Sequence, residues 1–209
     1  MYEVNEKAIQ EISLTKIDSE VDRNAILQLR YEGYRGVFES PESSLDEFDK
    51  LPTSQVLLAR DSQGVPIGTV RLLSTAHGGL ELDSLNPSYK DYFTADTTFV
   101  EGTRLVAKGS EIVPKQSVQA ALWKTALDYA YHLGADHLIV WSKRGPDRAY
   151  RYLKFNQLPE CGFCHYSLGA KRHEVFTLNL QEVKDVFRHM EHPLYDFFFE
   201  KRYANLIWY

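Results

Sequence analysis

The chain has 209 residues, 44% apolar and 25% charged, with 12 Gly, 8 Pro and a formal net charge of −5. That length suits one α/β domain burying roughly 70% of its unfolded surface, and the composition excludes disordered, collagenous and low-complexity scaffolds. The acidic balance disfavours a general nucleic-acid binder, which needs a basic field. No apolar run reaches the ~20 residues that span a bilayer. The first residues, Met1 to Lys7, lack the basic start and apolar stretch of a signal peptide. Cys161 and Cys164 are too few for a disulfide framework. With no second pair to complete a zinc site, they read as small apolar residues around a strand. These features together describe a reduced, soluble, cytoplasmic protein without a metal.

In chain order, residues 11–17 partly alternate apolar and polar, which predicts a short strand. Asp18 or Ser19 can cap a helix running to about Tyr34, with Ala25, Leu29 and Val21 on its apolar side. Residues 39–50 carry five carboxylates against one lysine and predict a polar loop or short helix. Residues 55–60 and 66–74 flank Asp61-Ser62-Gln63-Gly64 and predict a hairpin. A looser stretch with Gly78, Gly79 and Pro87 precedes a strand from Phe99 to Lys108. Ser117 to Leu133 is the clearest helix, its face marked by Val118, Leu122, Thr125, Ala126, Tyr129 and Leu133. His137 to Lys143 reads as a buried strand, Pro146 to Phe155 as a helix, and 161–167 and 174–180 as strands. From Gln181 the pattern is helical, broken at Pro193. One domain with a mixed α/β sheet covered on both faces follows, with 181–209 as a helical extension.

Arg71 and Arg104 stand out because each sits in a strand rich in Val and Leu, where a lone charge is costly unless paired or used. Glu101 lies three residues before Arg104, so a regular strand would send the two side chains to opposite faces. A bulge at Gly102 would restore a common face and allow a cluster with Asp46 and Asp49. The residues alone leave open whether such a cluster is structural or catalytic.

The order of elements resembles the GNAT acyltransferase fold, and four motifs resemble its autoinducer-synthase branch. They are Leu29-Arg30-Tyr31-x-x-Tyr34, Leu45-Asp46-x-Phe48-Asp49, Gly68-x-Val70-Arg71-Leu72 and Glu101-x-x-Arg104. That branch contains the acyl-homoserine-lactone synthases and the FeeM-type N-acyl amino acid synthases, and the resemblance runs from about residue 20 to 180. It implies that Arg30, Asp46, Asp49, Arg71, Glu101 and Arg104 flank an acyl-transfer site, with Tyr34 beside them. The lactone synthases carry a tryptophan about ten residues after the helix arginine. Ser40 stands there in this chain, which favours the N-acyl amino acid synthases.

Ordinary GNAT enzymes bind coenzyme A pyrophosphate on a glycine-rich turn before a helix. The corresponding stretch, Ala107 to Lys115, has one glycine and adds Glu111. It fits an acyl-phosphopantetheine donor on acyl-carrier protein, with no bound cofactor. Carrier proteins are acidic, and residues 143–154 hold Lys143, Arg144, Arg148, Arg151 and Lys154 against Asp147, a candidate docking patch that Lys171 and Arg172 extend.

The implied reaction is acyl transfer from a carrier thioester to an amino-acid amine. Glu101 is the candidate base, or else only orients its neighbours. Arg104 would lower its pKa unless it pairs instead with Asp46 or Asp49. Arg30 or Arg71 can hold the substrate carboxylate, and backbone amides around 102–106 can receive the oxyanion. A lactone synthase using S-adenosylmethionine and a noncatalytic acyl- or carrier-binding module are the alternatives. Seven of the last 15 residues are aromatic. They can pack a terminal helix, line an acyl tunnel or form a dimer contact.

Overall fold

Ser19 accepts the backbone N–H of Asp22 at 3.1 Å and so starts the helix expected after residue 18. Described in the structure, a computed structural model, are residues 4–143, 145 and 147–208. The chain opens with α1 (Glu6–Gln10) and β1 (Ile12–Lys16), followed by that helix, α2 (Glu20–Gly33). Next come the hairpin β2 (Gln55–Asp61) and β3 (Pro66–Ser74), a single turn of helix α3 (Glu81–Leu85), and β4 (Phe99–Ala107). Then follow α4 (Lys115–His132), β5 (His137–Lys143), α5 (Asp147–Tyr152), β6 (Asn156–Gln157), β7 (Phe163–His165), β8 (Lys171–Asn179) and α6 (Val183–His189). The sequence reading missed α1, α3 and β6. It started α5 at Pro146, which lies outside the described residues, as does Tyr209. Leu29 is buried as expected and Ala25 half-buried, whereas Val21, expected on the same side, is 74% exposed; Ile26, Leu27 and Arg30 complete the buried side.

The strands form one sheet in the order β1-β2-β3-β4-β5-β8-β6, with β7 also on β8. Among the described residues only β4 and β5 run parallel, and their pairing stops at Gly102↔Val140, although both strands continue. Thr69 pairs with Val106 but Arg71 with Thr103, so β4 holds one residue more than β3 over this stretch. The extra residue is accommodated at Arg104, whose φ is +53°. This corrects the expected bulge at Gly102, which still pairs with both Leu72 and Val140. The consequence is the one expected: Arg104 joins Glu101 and Thr103 on one face.

Alternation divides the sheet by chemistry. Val70, Leu72, Leu138, Val140 and Phe176 face α4 and the carboxy-terminal segment in one apolar cluster. Leu73, Phe99, Ile139 and Val175 face the opposite way, toward the α3 side. Helix α4 is buried nearly all round rather than on one face, because the tail covers its far side. The buried Lys124 Nζ donates to the Phe198 carbonyl at 3.1 Å, and Tyr129 meets Trp208 at 5.0 Å between rings. Asn205 ties the same segment to α1 and β1 through the carbonyls of Ile9 and Ile12, at 2.8 and 2.6 Å. Among the described residues no helix is long and apolar enough to cross a membrane.

Gly68 sits where β3 passes closest to α4. A Cβ there would come within 2.7 Å of Val118 Cγ1 and 2.9 Å of the Val106 carbonyl oxygen. Gly68→Ala should therefore cost about 1–3 kcal/mol by overpacking, read as a lower urea midpoint. An unchanged midpoint would mean that the strand and helix can part freely.

Candidate active site

The four motifs converge on the α3 side of β3 and β4. Arg30, fully buried at the end of α2, makes a two-pronged contact with Asp49, Nη1 to Oδ2 at 2.7 Å and Nη2 to Oδ1 at 2.8 Å. Asp46 and Asp49 hold each other's backbone N–H groups at 3.1 and 3.2 Å, which fixes the polar loop as a turn. Arg71 hydrogen-bonds Asp46 and Glu81 through its terminal nitrogens and donates from Nε to Thr103 Oγ1 at 3.1 Å. Arg104 donates to Asp46 Oδ2 at 2.6 Å and to Glu81 Oε1 at 2.9 Å from Nη2. Its Nη1 is buried and has no hydrogen-bond partner among the described residues. The alternative in which Arg104 pairs with an aspartate is thus the one realised, and that aspartate is Asp46.

Glu81 is the residue that the sequence reading missed. It is buried on α3 and joins Arg71, Arg104 and His165, whose Nε2 lies 3.2 Å from Glu81 Oε1. Burial raises the Glu81 pKa, but the His165 hydrogen bond and the Arg104 and Arg71 charges bring it below its ordinary value. Burial likewise opposes ionisation of Asp49, and Arg30 with Arg71 nevertheless holds its carboxyl down at about 2. No sequence signal singles out Glu81; only the structure shows three buried arginines exceeding Asp46 and Asp49 by one charge, a surplus that calls for a further carboxylate.

Glu101 is completely buried and receives three N–H groups: Glu81 at 2.7 Å, Leu82 at 3.2 Å and the Trp141 indole at 2.8 Å. Burial and the neighbouring Glu81 carboxylate push its pKa up to about 8, against the pull of those donors. Glu101 therefore fixes α3, and with it Glu81, against the sheet.

A cleft of about 310 Å³ opens where β4 leaves β5. Its walls include Tyr34 at the end of α2, Thr103 to Ala107 of β4, Trp141 to Lys143 of β5, and His173 of β8. Arg30, Asp46, Asp49, Arg71 and Glu101 are not lining residues; they lie behind the wall that Arg104 and Trp141 present. Arg104 packs over the Trp141 ring at 5.8 Å. On the other face an apolar cavity shares Gly102, Leu105 and Tyr150 with the cleft. Its far wall is Val183 and Phe187 of α6 with Phe198 and Phe199. Of the basic patch, Lys143, Arg148 and Arg151 are exposed and Lys154 half-buried, whereas Arg144 lies outside the described residues. Among the described residues no three His, Cys, Asp or Glu side chains converge as a metal site.

A mixed sheet with a parted β4–β5 pair and a cleft at the parting defines a class, the GNAT-fold acyltransferases. Aminoglycoside 6'-acetyltransferase type Ii matches 80% of this chain and 96% of its own at 13% identity, with a TM-score of 0.56. TofI in an apo form matches 81% and 91% at 16% identity, with a TM-score of 0.60. FeeM, an N-acyl amino acid synthase from uncultured soil microbes, matches 83% and 93% at 18% identity, with a TM-score of 0.65. Among curated proteins none matches. The model of the FeeM N-acyl amino acid synthase family matches residues 25–171, and the chain belongs to that family. It is an N-acyltransferase.

Removing Glu81 would leave Arg71 and Arg104 short of a buried counter-charge. Glu81→Ala should cost about 3–5 kcal/mol in urea unfolding, the range for breaking a buried ion pair on one side. A loss under about 1 kcal/mol would show that Asp46 alone can neutralise both guanidiniums.

Proposed function

We propose that the chain moves a fatty acyl group from the phosphopantetheine thioester of an acyl-carrier protein to the amine of an amino acid. One observation carries this reading: the parted strands open to an apolar cavity on one face and border an unsatisfied guanidinium nitrogen on the other. The pantetheine arm would lie in the parting, where its amides can use the strand edges that β4 and β5 no longer share. Gly102 lines both spaces, so no side chain at that position blocks passage of an acyl chain between them. Arg104 Nη1 supplies a donor for the acceptor's carboxylate. Arg30 and Arg71 support it from behind, their terminal nitrogens already engaged.

The turn before α4 favours a carrier protein over coenzyme A. Four of its amides are engaged within the chain: Lys108 and Gly109 donate to the Ile67 carbonyl, Ser110 to Val113 O, and Val113 to Ser110 Oγ at 3.2 Å. A pyrophosphate would have to displace these bonds. Lys143 stands on the cleft wall and Arg148 and Arg151 lie exposed nearby in sequence, a basic rim suited to an acidic carrier.

The decisive experiment offers the protein carrier thioesters of several chain lengths with all twenty amino acids and identifies products by mass spectrometry. An N-acyl amino acid supports the proposal. Methylthioadenosine released from S-adenosylmethionine, or thioester binding without thiol release, would overturn it. In the same assay Arg148→Glu with Arg151→Glu should slow transfer from the carrier by about tenfold or more, in a salt-dependent way. Equal rates would remove these residues from docking.

The apolar cavity is only about 30 Å³ as it stands, far below the roughly 150 Å³ that admits a benzene ring. An acyl chain therefore enters by moving aromatic side chains, and Phe199 is the half-buried one on the far wall. Phe199→Ala should shift the preferred donor toward longer chains. An unchanged chain-length profile would place the acyl group elsewhere.

A further inference from the structure

An amino-acid amine must lose a proton to attack a thioester, so the acceptor side of the cleft needs a base. The cleft wall offers few groups that could serve. No carboxylate or thiol is among its described residues. Arg104, Lys115 and Lys143 are cations, and burial pushes the Tyr34 and Tyr150 phenols above their ordinary pKa. Glu101 lies behind Trp141, with both oxygens taken by N–H donors. The remaining titratable side chain on the wall is His173.

Its geometry is that of a poised base. His173 is 5% exposed and pairs with Phe163 of β7 on one side and Lys143 of β5 on the other. Its ring lies 5.7 Å from Phe163, stacked, and 5.3 Å from Trp141, edge to face. Nδ1 lies 2.8 Å from the Lys171 carbonyl oxygen. A carbonyl only accepts, so Nδ1 carries the proton and Nε2 keeps its lone pair. The described residues make no hydrogen bond to Nε2.

We infer that His173 is the general base of the acyl transfer, an inference that rests on the function proposed above. Nε2 takes one proton from the substrate ammonium group and later passes it to water. The freed nitrogen lone pair bonds to the thioester carbonyl carbon. The carbon–sulfur bond then breaks, and the leaving sulfur takes the second nitrogen proton, giving amide and free thiol. Burial lowers the His173 pKa, the Lys171 carbonyl opposes this, and His165, Lys143 and Arg104 reinforce the lowering. Among the described residues these three, from β7, β5 and β4, each favour the neutral form. The ring is thus an unprotonated acceptor at neutral pH.

His173→Asn separates structure from chemistry, because the asparagine amide can still donate to the Lys171 carbonyl while offering no basic nitrogen. With the carrier thioester and amino acid that give product in the screen above, kcat/KM of the wild type should rise with pH through a group below 6.5. In His173→Asn that limb should vanish, leaving a rise that follows the free amine, and kcat near neutrality should fall ~10²–10⁴-fold with the KM for the carrier unchanged. A retained limb, or a rate within about threefold of wild type, would overturn the inference. Should the variant not fold, nitrogen NMR of the wild-type ring reads the same point. Nε2 must titrate with the kinetic limb, and a ring that stays neutral across it refutes the assignment. If the wild type yields no N-acyl amino acid, the function proposed above has failed rather than this residue's role.

Discussion

Everything at this site depends on one backbone irregularity, the left-handed residue Arg104 in a strand that is otherwise regular. A non-glycine residue in that region costs of order 1–3 kcal/mol and persists only where its surroundings over-determine it. Here the determinants are Asp46 from the loop after α2 and Glu81 from α3, both gripping the guanidinium. The extra residue turns Arg104 onto the face of Glu101 and Thr103. It lies just beyond the last β4–β5 pair, where the sheet opens. Strain, ion pairing and the opening therefore stand or fall together.

The opening matters because the two faces of the sheet have different solvents. On one side, α4 and the aromatic tail help line a cavity that is almost wholly apolar. On the other, three arginines meet Asp46, Asp49 and Glu81, with Glu101 holding α3 beneath them. Three guanidiniums and three carboxylates balance if Glu101 is neutral, which is the direction in which burial drives it. A protonated Glu101 can still accept N–H groups at both oxygens. The thioester proposed above, spanning the gap, would keep its chain on the apolar side and present its carbonyl to the polar one.

The charged cluster is readable in the sequence because Arg71 and Arg104 interrupt apolar strands, and a buried charge needs partners. What the residues cannot reveal is which carboxylates answer them. Glu81 lies in a stretch that has no periodicity, on a helix of five residues too short to leave a pattern, and only the fold brings it beneath β4. The bulge was misplaced for a related reason. Conformational freedom marks Gly102 as the easy site, whereas ion pairing to Asp46 and Glu81 makes Arg104 the favoured one. Gly102 remains regular, and it lines both the cleft and the cavity. His173 is silent in sequence too: a histidine near a strand start is unremarkable until its Nδ1 partner and the cleft wall are known.

The family match ends at residue 171, yet the apolar cavity is completed by residues beyond it. The tail is bound to the domain by polar anchors as well as by rings. Lys124 reaches the Phe198 carbonyl, and His192 Nε2 donates to the Tyr152 carbonyl at 3.1 Å while its Nδ1 accepts the Leu194 N–H. Such buried bonds hold backbone, not side chains. They fix where residues 192–198 run, whereas the half-buried Phe199 is held by ring contacts with Phe187, Tyr195 and Phe198. A wall of this kind can yield to an acyl chain without unfolding the segment that carries it. That reconciles the small cavity with the acyl chain proposed above to enter it.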